Sequence, residues 1–204
     1  MLEISKEILA TLPTATFPGR SIVIDSASDV RAAMKYLSSC SRVGFDTETR
    51  PSFQKGVVHT VALLQLSTEE ECFLFRLHHT GMTDEMVAFF ENPDILKIGL
   101  SIKDDIHALS KLRKFEPKSV LELQSYVKDF GIADNALNKV YGIVFNRRIS
   151  KAQRLTNWEA QTLTDAQKAY ASLDAYACLQ IYECLSAGEF HPEESPYVAP
   201  TQEE

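Results

Sequence analysis

The stretch VGFDTETRP, residues 43–51, begins as a buried strand and then turns acidic. Val43 and Phe45 read as core positions, and Asp46 and Glu48 interrupt them. Residues two apart on a strand point to the same side. Two carboxylates about 7 Å apart or less therefore stand beside apolar neighbours. Burial and mutual repulsion both act against such a pair, so a compensating positive charge is implied.

Two more acids repeat the anomaly. SIKDDIHALSKL (101–112) reads as a helix with Ser101 as N-cap. At helical spacing Ile102, Ile106 and Leu109 form one apolar stripe. Asp105 falls on that stripe and Asp104 on the opposite, solvated face. The long helix expected over 164–188 places Ala166, Tyr170, Leu173, Ala177 and Ile181 on one face. Asp174 lies in the middle of it, one turn beyond Tyr170. A bare buried carboxylate costs several kcal/mol unless a lysine, backbone N–H groups or a metal ion compensates.

Each acid has an ordinary reading by itself. Asp46 and Glu48 suit a strand end emerging before Pro51, Asp105 suits a helix N-terminus, and Asp174 suits a satisfied bond to Tyr170. Taken together, four inward-directed acids outnumber the inward-directed lysines and arginines. Clustered carboxylates suit hard divalent cations, Mg²⁺ or Mn²⁺. Two such ions about 4 Å apart serve phosphodiester hydrolysis.

The chain has 204 residues, 45% hydrophobic and 24% charged, with four cysteines and a formal net charge of −7. No linker divides it, so a single domain is expected over 1–188, with its core at about 20–186. Residues 189–204 read as an acidic, mobile tail. No apolar run approaches the roughly 20 residues of a membrane span, and the first residues carry no signal core. The expectation is a cytoplasmic protein without a membrane partner. Cys40, Cys72, Cys178 and Cys184 lack metal-ligand spacing and read as free thiols, with no disulfide-linked partner. The negative total argues against nucleic acid, but its distribution does not. Between Lys139 and Arg154 lie Arg147, Arg148 and Lys151 and no acid at all. Clustered cations of this kind make salt-dependent phosphate contacts, although such a stretch is also an ordinary solvated face. Trp158 reads as core, and the five histidines show no ligand spacing.

The pattern predicts helices over 2–11, 27–39, 83–92, 101–112, 134–142 and 164–188, and strands over 21–25, 42–48, 57–67, 71–77 and 95–100. Asp134 is the expected cap and Gly142 the expected stop of the fifth helix. Residues 119–130 fit strand or helix. Antiparallel strands followed by β/α alternation describe a mixed sheet with helices packed on it.

FDTE (45–48), GLSIKDDIHAL (99–109) and YASLDAYACLQIY (170–182) resemble the three exonuclease motifs of the tyrosine-bearing branch of the DEDD superfamily, which includes ribonuclease D and the Werner syndrome exonuclease domain. RLTNWEAQTLTDAQKAYASLDAYA (154–177) and VALLQLS (61–67) extend the resemblance, which spans about residues 20–186. It implies an α/β, ribonuclease-H-like fold with a mixed five-stranded sheet flanked by helices. It also implies removal of nucleotides from the 3′ end of DNA or RNA with two divalent cations. By that resemblance Asp46, Glu48 and Asp174 hold the first ion, Asp46 bridges to the second, and Asp105 acts largely through water. Tyr170 orients or helps deprotonate the attacking water. Thr47 and Glu48 meet the terminal nucleotide, and Leu66 wedges against its base. Arg147, Arg148, Lys151 and Arg154 are the candidate phosphate contacts. Neither a helicase nor the helical C-terminal domain of ribonuclease D is expected within these 204 residues. Two other readings are a silent nucleic-acid-binding module on the same fold and a metal phosphoesterase acting on small nucleotides. The full set of four acids and a tyrosine favours an enzyme over the first, and the basic segment favours a polymer over the second.

Overall fold

A computed structural model describes residues 1–198. Six strands form one mixed sheet: β1 (Arg20–Ile24), β2 (Arg42–Thr49), β3 (Val61–Ser67), β4 (Glu71–Arg76), β5 (Leu96–Gly99) and β6 (Val120–Glu122). Their order is β1-β4-β3-β2-β5-β6. The β2–β3 and β3–β4 pairs are antiparallel, and the remaining pairs are parallel. The sheet thus has one strand more than the five expected. The ambiguous segment 119–130 supplies it, first as the three residues of β6 and then as the short helix α6 (Leu123–Tyr126).

One face of the sheet is covered by α2 (Ala27–Leu37), α4 (Asp84–Glu91) and α5 (Ile102–Leu112), with the four-residue α3 (Leu77–Thr80) between β4 and α4. Val30, Leu37, Met86, Phe89, Phe90, Ile102 and Leu109 pack there against Val43, Phe45, Leu64 and Leu66. The other face carries α1 (Lys6–Thr11), α7 (Leu137–Phe145) and the long α8 (Asp165–Ser186). A full capping box starts α8: the Thr164 hydroxyl accepts from the Gln167 backbone while the Gln167 side chain reaches back to the Thr164 N–H. The middle of α8 is buried on more than one side, with Ala171, Ala175 and Ala177 fully enclosed. Ala166, expected on the inner face, is exposed.

Small residues set how deep α8 sits. A Cβ at Gly44 of β2 would lie 1.9 Å from the carbonyl oxygen of Ala175, so only glycine admits this approach. Asp46 is two residues on in β2, and Asp174 adjoins Ala175. The close crossing of strand and helix therefore brings the two carboxylates together.

Several local expectations are corrected. Residues 2–5 are extended, because Leu2 bridges to Ile132 and Val198, and the Ile4 N–H donates to Asp134 Oδ2 at 2.9 Å. Asp134 is thereby used to fasten the N-terminal segment, and it pairs with Lys139 at 2.6 Å, while α7 starts after Ala136. Gly142 lies inside α7, where a Cβ would meet Leu9 Cδ1 at 2.7 Å. The helix stops instead at Asn146, in the left-handed region with φ 53°. Residues 57–60 precede β3 rather than belonging to it.

The expected mobile tail is ordered over its first ten residues. After Gly188 the chain turns back, and Tyr197 is 7% exposed. Its carbonyl accepts from the Glu3 N–H at 2.9 Å, and its hydroxyl donates to Asn146. Residues 199–204 of that expectation lie outside the described residues. No helix among the described residues is long and apolar enough to cross a membrane.

Candidate active site

The period of two in β2 turns Val43 and Phe45 into the α2–α4 core and Asp46 and Glu48 toward α8. Asp174 meets them from above, being 7% exposed. One carboxylate oxygen from each of Asp46, Glu48 and Asp174 falls within a 4.8 Å sphere of separation.

Asp105 approaches from the N-terminus of α5. Ser101 stands at the cap position but does not cap with its side chain, its backbone being left-handed at φ 62°. Glu122, at the end of β6, takes over: its carboxylate oxygens accept from the Ser101 and Ile102 N–H groups, each at 2.9 Å. With the helix start satisfied from elsewhere, Asp105 is left to the cleft, where it accepts a hydrogen bond from the Thr47 hydroxyl. Asp104 is exposed on the rim of the same cleft.

These residues line a cleft of about 470 Å³. Asp46, Thr47, Glu48, Asp105, Asp174 and Tyr170 are joined there by Lys151 and Arg154. Of the predicted site residues, these eight are brought together and three are not. Leu66 is fully buried in the α2–α4 core, cross-strand from Phe45, so it has no surface to offer a base. Arg148 is held by the Leu12 carbonyl at 3.1 Å, fastening the N-terminal segment. Arg147 is exposed outside the cleft lining.

Trp158 is fully buried, its ring 6.1 Å from that of Tyr170. The buried Arg76 steadies its loop, donating to the carbonyls of Ala160 and Gln161. Tyr170 is thus backed by core, with its hydroxyl beside the Asp174 carboxylate.

The electrostatics follow from burial. Asp46 is pushed well above the usual carboxylate range by desolvation, and the charges of Asp174, Asp105 and Glu48 add to the effect. Glu48 rises to about 9 for the same reasons, with Arg154 opposing. Asp174 rises to about 7 through burial, held back by its bond to Tyr170 and by Lys151. Asp105 rises to about 6 through burial, held back by the Thr47 bond. Burial and the neighbouring acids raise Tyr170 far above its ordinary value, so its phenol stays protonated. In the metal-free protein this protonated phenol is a hydrogen-bond donor beside the Asp174 carboxylate.

The donor set fits a divalent cation. It is all oxygen, it is crowded, and only Lys151 and Arg154 oppose its charge from the cleft wall. A pH dependence follows. Without metal, the folded protein holds protons on Asp105, Asp174 and Glu48 up to about 6, 7 and 9 respectively, whereas unfolded Asp and Glu carboxyls release theirs near 3.8 and 4.5. The folded state binds more protons in that window, so stability falls as pH rises through it. Urea denaturation in EDTA should show a loss of at least about 2 kcal/mol between pH 5 and pH 8. Added Mg²⁺ or Mn²⁺ should recover it at pH 8. A flat profile would mean that the acids are already compensated.

Sequence reasoning missed Glu122 and Gly44. Glu122 was visible as an acid closing an apolar segment. Nothing in the local sequence marks Gly44.

Comparison with known proteins agrees with the geometry. A family model described as 3′–5′ exonuclease matches residues 21–187. The mouse bifunctional 3′–5′ exonuclease/ATP-dependent helicase WRN is 32% identical over 185 residues, covering 82% of this chain and 13% of that protein. An Arabidopsis thaliana 3′–5′ exonuclease is 29% identical over 175 residues, covering 78% of this chain and 61% of the relative. The chain thus spans less than two thirds of either relative. The Aedes aegypti Nibbler EXO domain superposes with a TM-score of 0.75 at 22% identity, over 89% of this chain and 97% of that domain. That likeness makes the fold ribonuclease-H-like, as the mixed sheet and its flanking helices suggest. A family match over most of the chain, with the four acids and the tyrosine in its cleft, places this chain in the 3′–5′ exonuclease family.

Proposed function

We propose that this chain is a metal-dependent exonuclease that removes nucleotides one at a time from the 3′ end of a nucleic acid. The observation that carries the reading is the convergence of Asp46, Glu48 and Asp174 within 4.8 Å, in a cleft that also holds Tyr170, Lys151 and Arg154. Asp46, Glu48 and Asp174, with Asp105 beside them, would hold the two divalent cations, Mg²⁺ or Mn²⁺. Bound there, the cations supply Lewis-acid stabilisation of the charge that develops on the phosphodiester.

The remaining work falls to the chain's own groups. The Tyr170 hydroxyl, beside Asp174, hydrogen-bonds the attacking water and orients it against the scissile phosphorus. Thr47 fixes Asp105 through its hydroxyl and lies with Glu48 where the terminal nucleotide would enter. Lys151 and Arg154 contact phosphate, and their charges offset Asp174 and Glu48. Four free cysteines suit a reducing intracellular compartment.

The test is incubation of 5′-labelled and 3′-labelled single-stranded RNA, single-stranded DNA and recessed duplexes with Mg²⁺ or Mn²⁺. A ladder shortening from the 3′ end, with mononucleotide released from a 3′ label, is expected. Absence of cleavage, or release of internal fragments, would overturn the reading. Neutralising Lys151 and Arg154 together to Gln should raise KM by roughly tenfold or more at 0.15 M salt. It should also flatten log KM against log salt by about 1.4, at ~0.7 per lost single-strand phosphate contact. An unchanged slope would return both residues to the solvated surface. Arg147→Gln, outside the cleft, is the comparison.

A further inference from the structure

Gln65 sits in the middle of β3, a strand hydrogen-bonded on both sides, between β2 and β4. Every residue of β3 is buried, so both its faces are covered and apolar side chains are expected throughout. Its neighbours obey: Leu63, Leu64 and Leu66 are fully buried. Leu64 and Leu66 point into the α2–α4 core, so alternation sends Gln65 to the α8 face. It is 0% exposed there, and neither its Nε2 nor its Oε1 has a hydrogen-bond partner. Buried amides are almost always satisfied. An apolar side chain of the same length would fill the same space without two orphaned polar atoms.

The register shows what the amide stands beside. Gln65 is directly cross-strand from Asp46 on one side and from Leu74 on the other. Side chains of directly opposed residues start about 5 Å apart at Cβ. Asp46 is the directly opposed ionisable group on that face, with Glu48 on β2 and Arg76 and Cys72 on β4 one diagonal step further away, and the charges of Asp174, Asp105 and Glu48 all act on it. A carboxylate that must hold a cation on one oxygen needs a donor to fix its plane. None of the four acids can supply one when ionised, because an ionised carboxylate only accepts.

We infer that Gln65 is a positioning residue for Asp46: its Nε2–H donates to the Asp46 carboxylate once the cluster is loaded with cation, and holds the plane of that carboxylate. In the metal-free protein the amide is idle, and it is retained for the loaded state. The inference rests on the metal-site reading above, and its test separates the two. Mn²⁺ affinity is measured for wild type, Gln65→Met and Leu74→Met. Gln65→Met should keep or raise the melting temperature in EDTA and weaken Mn²⁺ binding by 10- to 100-fold, the usual effect of losing a partner that orients a metal ligand. Leu74→Met, also buried beside Gln65, should leave the affinity within about threefold. An undiminished affinity in Gln65→Met overturns the inference and leaves the metal site standing, whereas a wild type that binds no Mn²⁺ sinks both. If Gln65→Met does not fold, wild type supplies the answer. Its Gln65 side-chain amide resonances should shift and exchange more slowly on adding diamagnetic Mg²⁺. Resonances that stay in place in a Mg²⁺-bound protein overturn the proposal.

Discussion

Asp46→Asn should reduce single-turnover cleavage by about 10³-fold or more, equivalent to at least ~4 kcal/mol of barrier. It should also raise the stability of the metal-free protein. The two effects have one cause. Asp46 lies among three like charges in a desolvated site, and its carboxyl is pushed well above the usual range by that surrounding. Asn removes the cost of charging that carboxyl, or of keeping it protonated, in the apo fold, and it deletes a cation ligand. Wild type should gain melting temperature with Mn²⁺ through linkage, while Asp46→Asn should gain little. A variant that is less stable in EDTA than wild type would show that Asp46 is compensated by a partner other than metal.

Tyr170→Phe should lower turnover by roughly 10²-fold, the scale of a lost acid–base or positioning group, with Mn²⁺ affinity retained. The ring keeps its contact with Trp158, 6.1 Å between centroids, so packing is preserved. What is lost is the hydroxyl beside Asp174. That bond holds the Asp174 carboxyl down to about 7 against the desolvation that raises it. Without it, Asp174 in the metal-free variant should titrate higher still. Asp174→Asn should behave differently and lose metal affinity as well as rate. A Tyr170→Phe enzyme with wild-type turnover would remove the hydroxyl from the mechanism and leave Tyr170 as the aromatic wall of the cleft.

The acids were legible because both secondary-structure periods are local. A period of two puts Asp46 and Glu48 on one side of β2, and steps of 100° separate Asp105 from Asp104, which the structure finds half-buried and exposed respectively. Register and crossing depth are not local, and the expectations that failed depended on them. Leu66 aligns with Phe45, not with an acid, and no feature of VALLQLS announces that pairing. Gly142 resembles a helix stop in sequence, yet it serves the close approach of Leu9. Arg148 belongs to a basic run but spends its guanidinium on the Leu12 carbonyl. The tail was judged by its glutamates, while Phe190 and Tyr197 among them carry the apolar surface that docks it. Strand β6 is only three residues long and gains its identity from pairing with β5.

The proposed chemistry requires the carboxylate cluster of β2 and α8 to bind a divalent cation. Its most direct test is a Mn²⁺ titration of the metal-free protein at pH 8, following free Mn²⁺ by electron paramagnetic resonance, for wild type and Asp46→Asn. Wild type should take up Mn²⁺ saturably, and the uptake should be lost in Asp46→Asn at the same concentrations. Uptake that is absent from wild type, or undiminished in the variant, would contradict the account.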